Sequence, residues 1–316
     1  MPDLAGINGT RKDFRVVGKP NLPGVLSWAQ ATGVAKFGID YVVPNMLHAK
    51  FLRNPYPAAR VKSVDTTKAR AIPGVVDIVT WEDEDMSPGG GGGGFGGPPR
   101  SLLSNYAYHE SMEVGVIVIA ENEDVCEEGL RALEVEWEVL PFVVDLLEGR
   151  KPDAPVIRPP APKGKAGGFG GFGGMGGGNN PPKKGNVSYS NVVDGDIEQG
   201  FKEADHIIEW DMKTAAFSGH IPNPTGTVAW WFDDPLHGEG MNLQIEGVPW
   251  GHDQVSRSAG VSGDKVFQNC MFVGGRYCDW GIRTTQQITP LLAKRTGRPV
   301  RCMNSRYEMY DFNLCD

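Results

Sequence analysis

Apolar side chains recur along this chain with two different periods. Between Gly33 and Asp83 they alternate around Met46 to Leu52, Val61 to Val64 and Val75 to Val79, which predicts three short strands, since a strand turns successive side chains to opposite faces. Asp65 or Thr66 can cap a short helix over Lys68 to Ala71, and Pro73-Gly74 turns the chain back. Val114 to Ala120 is apolar without interruption and predicts a strand buried on both faces. An acidic start followed by Cys126, Leu130 and Leu133 predicts a helix, and the alternating EVEWEV a strand after it. Further on, the pattern predicts a helix over Ile197 to Ala204 followed by strands through DHIIEWDMKTAAFSGHIPNPTGTVAWW, a strand opening at LQIEG, and a helix from near His252 to about Gly260. The densest stretch is the last. Met271 to Val273 reads as a strand and Gly274-Gly275 as a turn. Ile282, Ile288, Leu291 and Leu292 have helical spacing, Gly297 is placed like a helix C-cap, and Pro299, Val300 and Cys302 read as a buried strand. The class is α+β.

Composition changes this picture only locally. With 40% hydrophobic and 22% charged residues among 316, the chain is an ordinary globular one. Two tracts, residues 89–97 and 164–178, hold 18 of its 43 glycines, so the excess is confined to insertions. They lack the flanking strand and helix of a phosphate loop and read as flexible surface loops or linkers. A net charge of −8 argues against nucleic acid, whose binding draws on lysine and arginine. No apolar run approaches the roughly 20 residues of a membrane helix, and the first residues do not read as a secretory signal. Five cysteines without a C-x-x-C pair suit neither a zinc site nor an iron–sulfur cluster; they read as reduced, cytoplasmic thiols, with Cys278 in the turn the one candidate for a role.

A strand, a glycine turn and a helix can present backbone N–H groups to an anion or a polar cofactor, or can simply turn a corner. The GG pair alone leaves both open, since no dinucleotide or P-loop pattern surrounds it. The segment VGG, twenty residues, then TGRPVR and SRYE resembles the molybdenum-cofactor subunit of the xanthine oxidase and aldehyde oxidase family, with its GGGFGGK turn, TGRPVR and TREE. Here Arg276, Tyr277, Cys278, Asp279 and Trp280 replace the family's GFGGK residues. TGVAKFGID, then LHAKFLRNPYPAARVKSVDTTKARAIPGVV and TWED, is similar to the family's N-terminal α/β hammerhead domain. The resemblance implies an N-terminal arm (1–32), a hammerhead domain (33–150) carrying the 89–97 insert, a linker (151–186), and the first part of a molybdopterin-binding domain (187–316).

It also implies a site. Gly274, Gly275, Arg276 and Tyr277 take the positions that face a molybdopterin-type cofactor, with Tyr277 flanking the substrate. Glu246 stands where the family has a glutamine that donates to the metal's oxygen ligand, so it is either a carboxylic acid kept protonated or an ordinary surface residue. His220 and Asn223 fall in the loop bordering the substrate channel, Asn223 where the family has Met-Glu. Family subunits run on past TREE, so the expectation is a split subunit completed by a second molybdopterin-binding chain, with iron–sulfur clusters and FAD on further partner subunits. No catalytic residue or protein metal ligand is assigned to this chain. The implied reaction hydroxylates an electron-poor carbon of a small molecule with water-derived oxygen; the alternative is a non-catalytic assembly subunit that has lost its active-site residues.

Overall fold

The computed structural model describes residues 24, 26–86, 102–157, 185–187, 195–215, 217–218, 222–235, 238–245, 251–270, 272–275, 284–312 and 314–315. Two compact units divide the chain, Met1–Lys36 and Phe37–Asp316. The first contains helix α1 (Ser27–Ala31), where Thr32 Oγ1 donates to the Trp28 carbonyl at 2.8 Å.

The second unit opens with β1 (Leu47–Arg53), β2 (Ala59–Asp65), α2 (Thr67–Arg70), β3 (Val75–Thr80), β4 (Tyr106–Ala107), β5 (Glu113–Ala120), α3 (Glu123–Ala132), β6 (Glu134–Val139) and α4 (Leu146–Gly149). It continues with α5 (Ile197–Glu203), β7 (Phe217–Ser218), β8 (Gly226–Asp234), β9 (Gly238–Ile245), α6 (His252–Ala259) and β10 (Val266–Asn269). The last elements are α7 (Thr284–Thr296), β11 (Val300–Met303), α8 (Arg306–Phe312) and β12 (Leu314–Cys315).

One seven-stranded sheet, in the order β10-β9-β8-β11-β1-β5-β3, is the frame of this unit. Its seam is the parallel pairing of β1 with β11, Leu47 opposite Val300 and His48 opposite Arg301, which joins strands of residues 47–120 to strands of residues 226–303. The uninterrupted apolar run becomes β5, paired on both edges by β1 and β3. Its side chains then divide by parity. Ile117 and Ile119 enter the core shared with Ile288, Leu291 and Leu292 of α7, while Val116 and Val118 pack with Ala69 of α2 and Leu133. That division is why no polar residue interrupts the run: both faces of the strand lie under helices.

Local signals resolve as simple chemistry. Asp65 supplies the side chain at the start of α2, accepting from Thr67 N at 2.8 Å. Asn122 caps α3 by accepting from Val125 N at 2.9 Å, with Glu123 and Asp124 in the first turn and Arg131 in the last. Gly297 follows α7 at φ +65°, as a C-cap requires. The expectation for Met271 to Val273 needs correction. The strand before the turn is β10, which leaves its parallel ladder with β9 after Asn269; Phe272 is buried not in a sheet but against the ring of Phe37, 5.9 Å away.

Ion pairs reinforce the seam. Arg298 clasps Glu121 through two hydrogen bonds of 2.8 and 2.9 Å and donates to the Asn45 carbonyl. Arg295, in the last turn of α7, reaches Asp77, Asp83 and Asp85 at 2.7, 2.8 and 2.8 Å. The third cluster is the most enclosed. Arg53 of β1 meets Glu308 of α8 at 3.1 Å and Glu113 of β5 at 3.5 Å, and Lys50, only 5% exposed, lies 3.5 Å from Glu308.

Candidate functional site

The Arg53 cluster is the foundation of the loop that carries the candidate site. Arg53 donates to Asn304 Oδ1 at 2.8 Å, and Asn304 in turn holds Thr225 twice, backbone to backbone at 2.9 Å and side chain to side chain at 3.0 Å. Met309 Sδ accepts from Thr225 Oγ1 at 3.0 Å, and Arg306 donates to the Pro222 carbonyl. Residues 222–225 are therefore clamped from the side of α8. Asn54 and Tyr56, beside Arg53, form a turn: Asn54 is buried and its amide donates to the Tyr56 and His109 carbonyls.

On this clamped loop Asn223 is 6% exposed, and its Nδ2 has no hydrogen-bond partner among the described residues. Leaving such a donor unmade costs about 1–3 kcal/mol. The diglycine turn packs directly on it. A Cβ added to Gly274 would sit 2.4 Å from Asn223 Cβ and 3.2 Å from Asn223 N, a distance that real Cβ atoms do not reach, so only glycine lets the turn lie so close. Gly275 has φ +154°, a region side chains avoid. Gln268, on the strand leading into the turn, also has both amide atoms buried without a partner among the described residues.

Three of the residues assigned from the sequence are thus described, and Asn223 and Gly274, 51 positions apart in the sequence, are in contact. Arg276, Tyr277, Cys278, Glu246 and His220 lie outside the described residues. Sequence reading missed the Thr225–Asn304 clamp and Gln268, since an isolated Thr, Asn or Gln carries no pattern. Among the described residues no group of three or more His, Cys, Asp or Glu side chains could hold a metal ion, and no helix is long and apolar enough to cross a membrane.

The remaining chemistry is quiet. Burial pushes the Cys126 thiol up to about 12, and Cys302, wholly enclosed, is pushed up as well. A thiolate is the reactive form, so at pH 8 an alkylating agent should leave Cys126 and Cys302 of the native chain unlabelled and modify both in urea. Peptide mass mapping checks this; labelling of either in the native chain would contradict its burial.

The comparisons with known proteins bear on the same two segments. A family model described as "Aldehyde oxidase and xanthine dehydrogenase, a/b hammerhead domain" matches residues 32–141, and one described as "Molybdopterin cofactor-binding domain" matches residues 180–313, the segment holding Asn223 and the diglycine turn. The chain belongs to the aldehyde oxidase and xanthine dehydrogenase family. Its relatives in the family include the nicotinate dehydrogenase large molybdopterin subunit of Eubacterium barkeri, 26% identical over 303 residues covering 94% of this chain and 63% of the relative. The xanthine dehydrogenase molybdenum-binding subunit of Escherichia coli O157:H7 is 25% identical over 296 residues, 89% of this chain and 35% of that one. Among solved structures, quinoline 2-oxidoreductase from Pseudomonas putida 86 superposes with a TM-score of 0.71 at 20% identity, over 91% of this chain and 34% of that one, which shows a shared fold. The chain therefore spans about a third of the xanthine dehydrogenase subunit and of the quinoline oxidoreductase chain, and under two thirds of the nicotinate dehydrogenase subunit.

Proposed function

We propose that this chain forms one wall of the molybdenum-cofactor cavity of a multi-subunit, cytoplasmic molybdenum hydroxylase. The observation that carries it is the Asn223–Gly274 contact: a buried, unpaired amide donor against a turn that tolerates no side chain. A buried orphan donor beside a half-buried glycine turn suits a ligand rich in oxygen and nitrogen acceptors, as a pterin with its phosphate is. Asn223 and the backbone of Gly274 and Gly275 would hold that group, with Arg276, Tyr277 and Glu246 beside them and His220 and Asn223 at the channel. When bound, the group supplies a redox-active metal that activates water-derived oxygen toward an electron-poor carbon.

What this chain's residues do is bind and orient. The clamp through Asn304 and Thr225 holds the loop that carries Asn223 before any ligand arrives, so little backbone ordering entropy remains to be lost on binding. The other wall and the base come from residues beyond this sequence, a second molybdopterin-binding chain in our reading, and electrons leave through iron–sulfur and FAD subunits.

Asn223→Leu separates this reading from an assembly role. It removes an unpaired donor at nearly constant volume, so the chain's unfolding free energy should hold or rise, by up to about 1–3 kcal/mol. Molybdenum and pterin in the complex purified through the chain should nevertheless fall severalfold. Unchanged cofactor content would favour the non-catalytic assembly subunit.

A further inference from the structure

Two hydroxyl groups inside the sheet–helix layer have nothing to bond to. Thr227 of β8 is 0% exposed and Thr285 of α7 is 1% exposed, and neither Oγ1 has a hydrogen-bond partner among the described residues. Leaving a buried hydroxyl unpaired is costly, and such groups in native proteins usually meet water or a ligand.

The packing brings both to one end of the layer. Trp231 Nε1 of β8 donates to the Pro290 carbonyl at 2.8 Å, and Lys294, one turn further along α7, lies 4.4 Å from the centre of the Trp231 ring and 3.2 Å from Glu239. Glu239 stands opposite Asp233, at the far end of β8. The helix therefore runs antiparallel to β8, its last turn over the end of the strand and its first turn over the beginning, at Gly226 and Thr227. Both side chains face into the layer. Thr227 shares its side of the strand with Ala229 and Trp231, which pack with Ile288, Leu291 and Leu292. Thr285 precedes Ile288 and Leu292 by three and seven positions, on the same stripe of the helix.

The wall of the candidate site stands at that end too. Asn223, three residues before β8, holds its unpaired amide against Gly274. Three enclosed groups able to donate thus gather beside the start of a 13-residue helix, whose first N–H groups have no acceptor within it and whose first turn has no acidic side chain.

We infer that the first turn of α7, with Thr227 and Thr285, is a subsite for an anionic oxygen group, a carboxylate or a phosphate, on the molecule held at the Asn223–Gly274 wall. It rests on the cofactor-wall reading for its place in the cavity. The charge follows from the donors: O–H and N–H groups make their strongest bonds to an ionised oxygen, and the helix dipole adds to them. The acidic neighbours are already neutralised. Glu113 and Glu308, whose charges reach Cys302 opposite Thr227, are paired with Arg53 and Lys50.

Thr227→Val combined with Thr285→Val tests this, since it removes both hydroxyls at nearly constant volume. In buffer free of phosphate and acetate the variant's unfolding midpoint should hold or rise. Inorganic phosphate and acetate, each titrated at constant ionic strength, should raise the midpoint of the wild-type chain saturably, and the double variant should bind both at least about tenfold more weakly. The complex purified through the chain identifies the source. If the group is the pterin's phosphate, the wild-type complex should ignore both anions and the variant complex should carry at least about tenfold less pterin. If it is a substrate's carboxylate, the wild-type complex should still respond to acetate and pterin content should be equal. A midpoint that falls on substitution overturns the inference, because the hydroxyls would then be engaged within the chain. Equal anion responses with equal pterin content also overturn it, leaving the hydroxyls to water. A saturable response lost in the variant, in a chain whose complex holds its pterin away from the turn, keeps the subsite and sinks the cofactor wall; pterin at Asn223 with variant and wild type alike does the opposite.

Discussion

Replacing Glu308 by alanine should destabilise the chain by about 3–5 kcal/mol, because it strands Lys50 and Arg53 in a site from which water is largely excluded. Glu308 is only 12% exposed and meets both cations. Burial pushes its carboxyl up, yet Arg53 and Lys50, with hydrogen bonds from Ser305, outweigh it and hold the group below its ordinary value of 4.5. The sign of the pH dependence follows: a carboxyl with a depressed folded-state pKa contributes stability that is complete above about 4.5 and is lost as pH falls through the folded value. The Glu308→Ala chain should therefore lack part of the wild-type stability loss on acidification. Urea unfolding at pH 7 and pH 4 measures both effects. Glu134→Ala is the contrast, since the Lys68–Glu134 pair is 72% and 57% exposed, is screened by water, and its loss should leave the urea midpoint essentially unmoved.

The second large effect is expected at the turn. Gly274→Ala puts a methyl group 2.4 Å from Asn223 Cβ and 3.2 Å from its backbone nitrogen, and Asn223 cannot retreat, because Thr225, two residues along the loop, is held by Asn304 and Met309. The turn must move instead. Molybdenum and pterin recovered with the variant complex should drop at least about tenfold, the equivalent of losing a hydrogen bond to a charged group. Because the displaced segment is a half-buried turn outside the sheet, the unfolding midpoint of the isolated chain should move less than it does in Glu308→Ala. Equal cofactor content in variant and wild type would show that the turn lies away from the ligand.

Much of the fold was legible because periodicity reports burial directly. Val114 to Ala120 announced a strand covered on both faces, and β5 has helices on both. The seam was not legible. Nothing in LHAKF or PVRCM states that these strands pair in parallel, since a pairing across 253 positions depends on shape, not on either local pattern. The strand placed at Met271 to Val273 slipped because a buried Phe looks the same in a ladder as against another ring. At the site, glycine at 274 was readable as freedom of backbone, but its reason, the approach of Asn223, became visible only with the fold. Asn223 itself was singled out for where it stands in a resemblance; its unpaired amide is what gives that position chemical content.

The most direct measurement is the position of the pterin in a cryo-electron microscopy structure of the complex purified through this chain. We predict it within hydrogen-bonding distance of the Asn223 amide and of the backbone at Gly274 and Gly275. A pterin held wholly by other polypeptide, with this turn remote from it, would contradict the account.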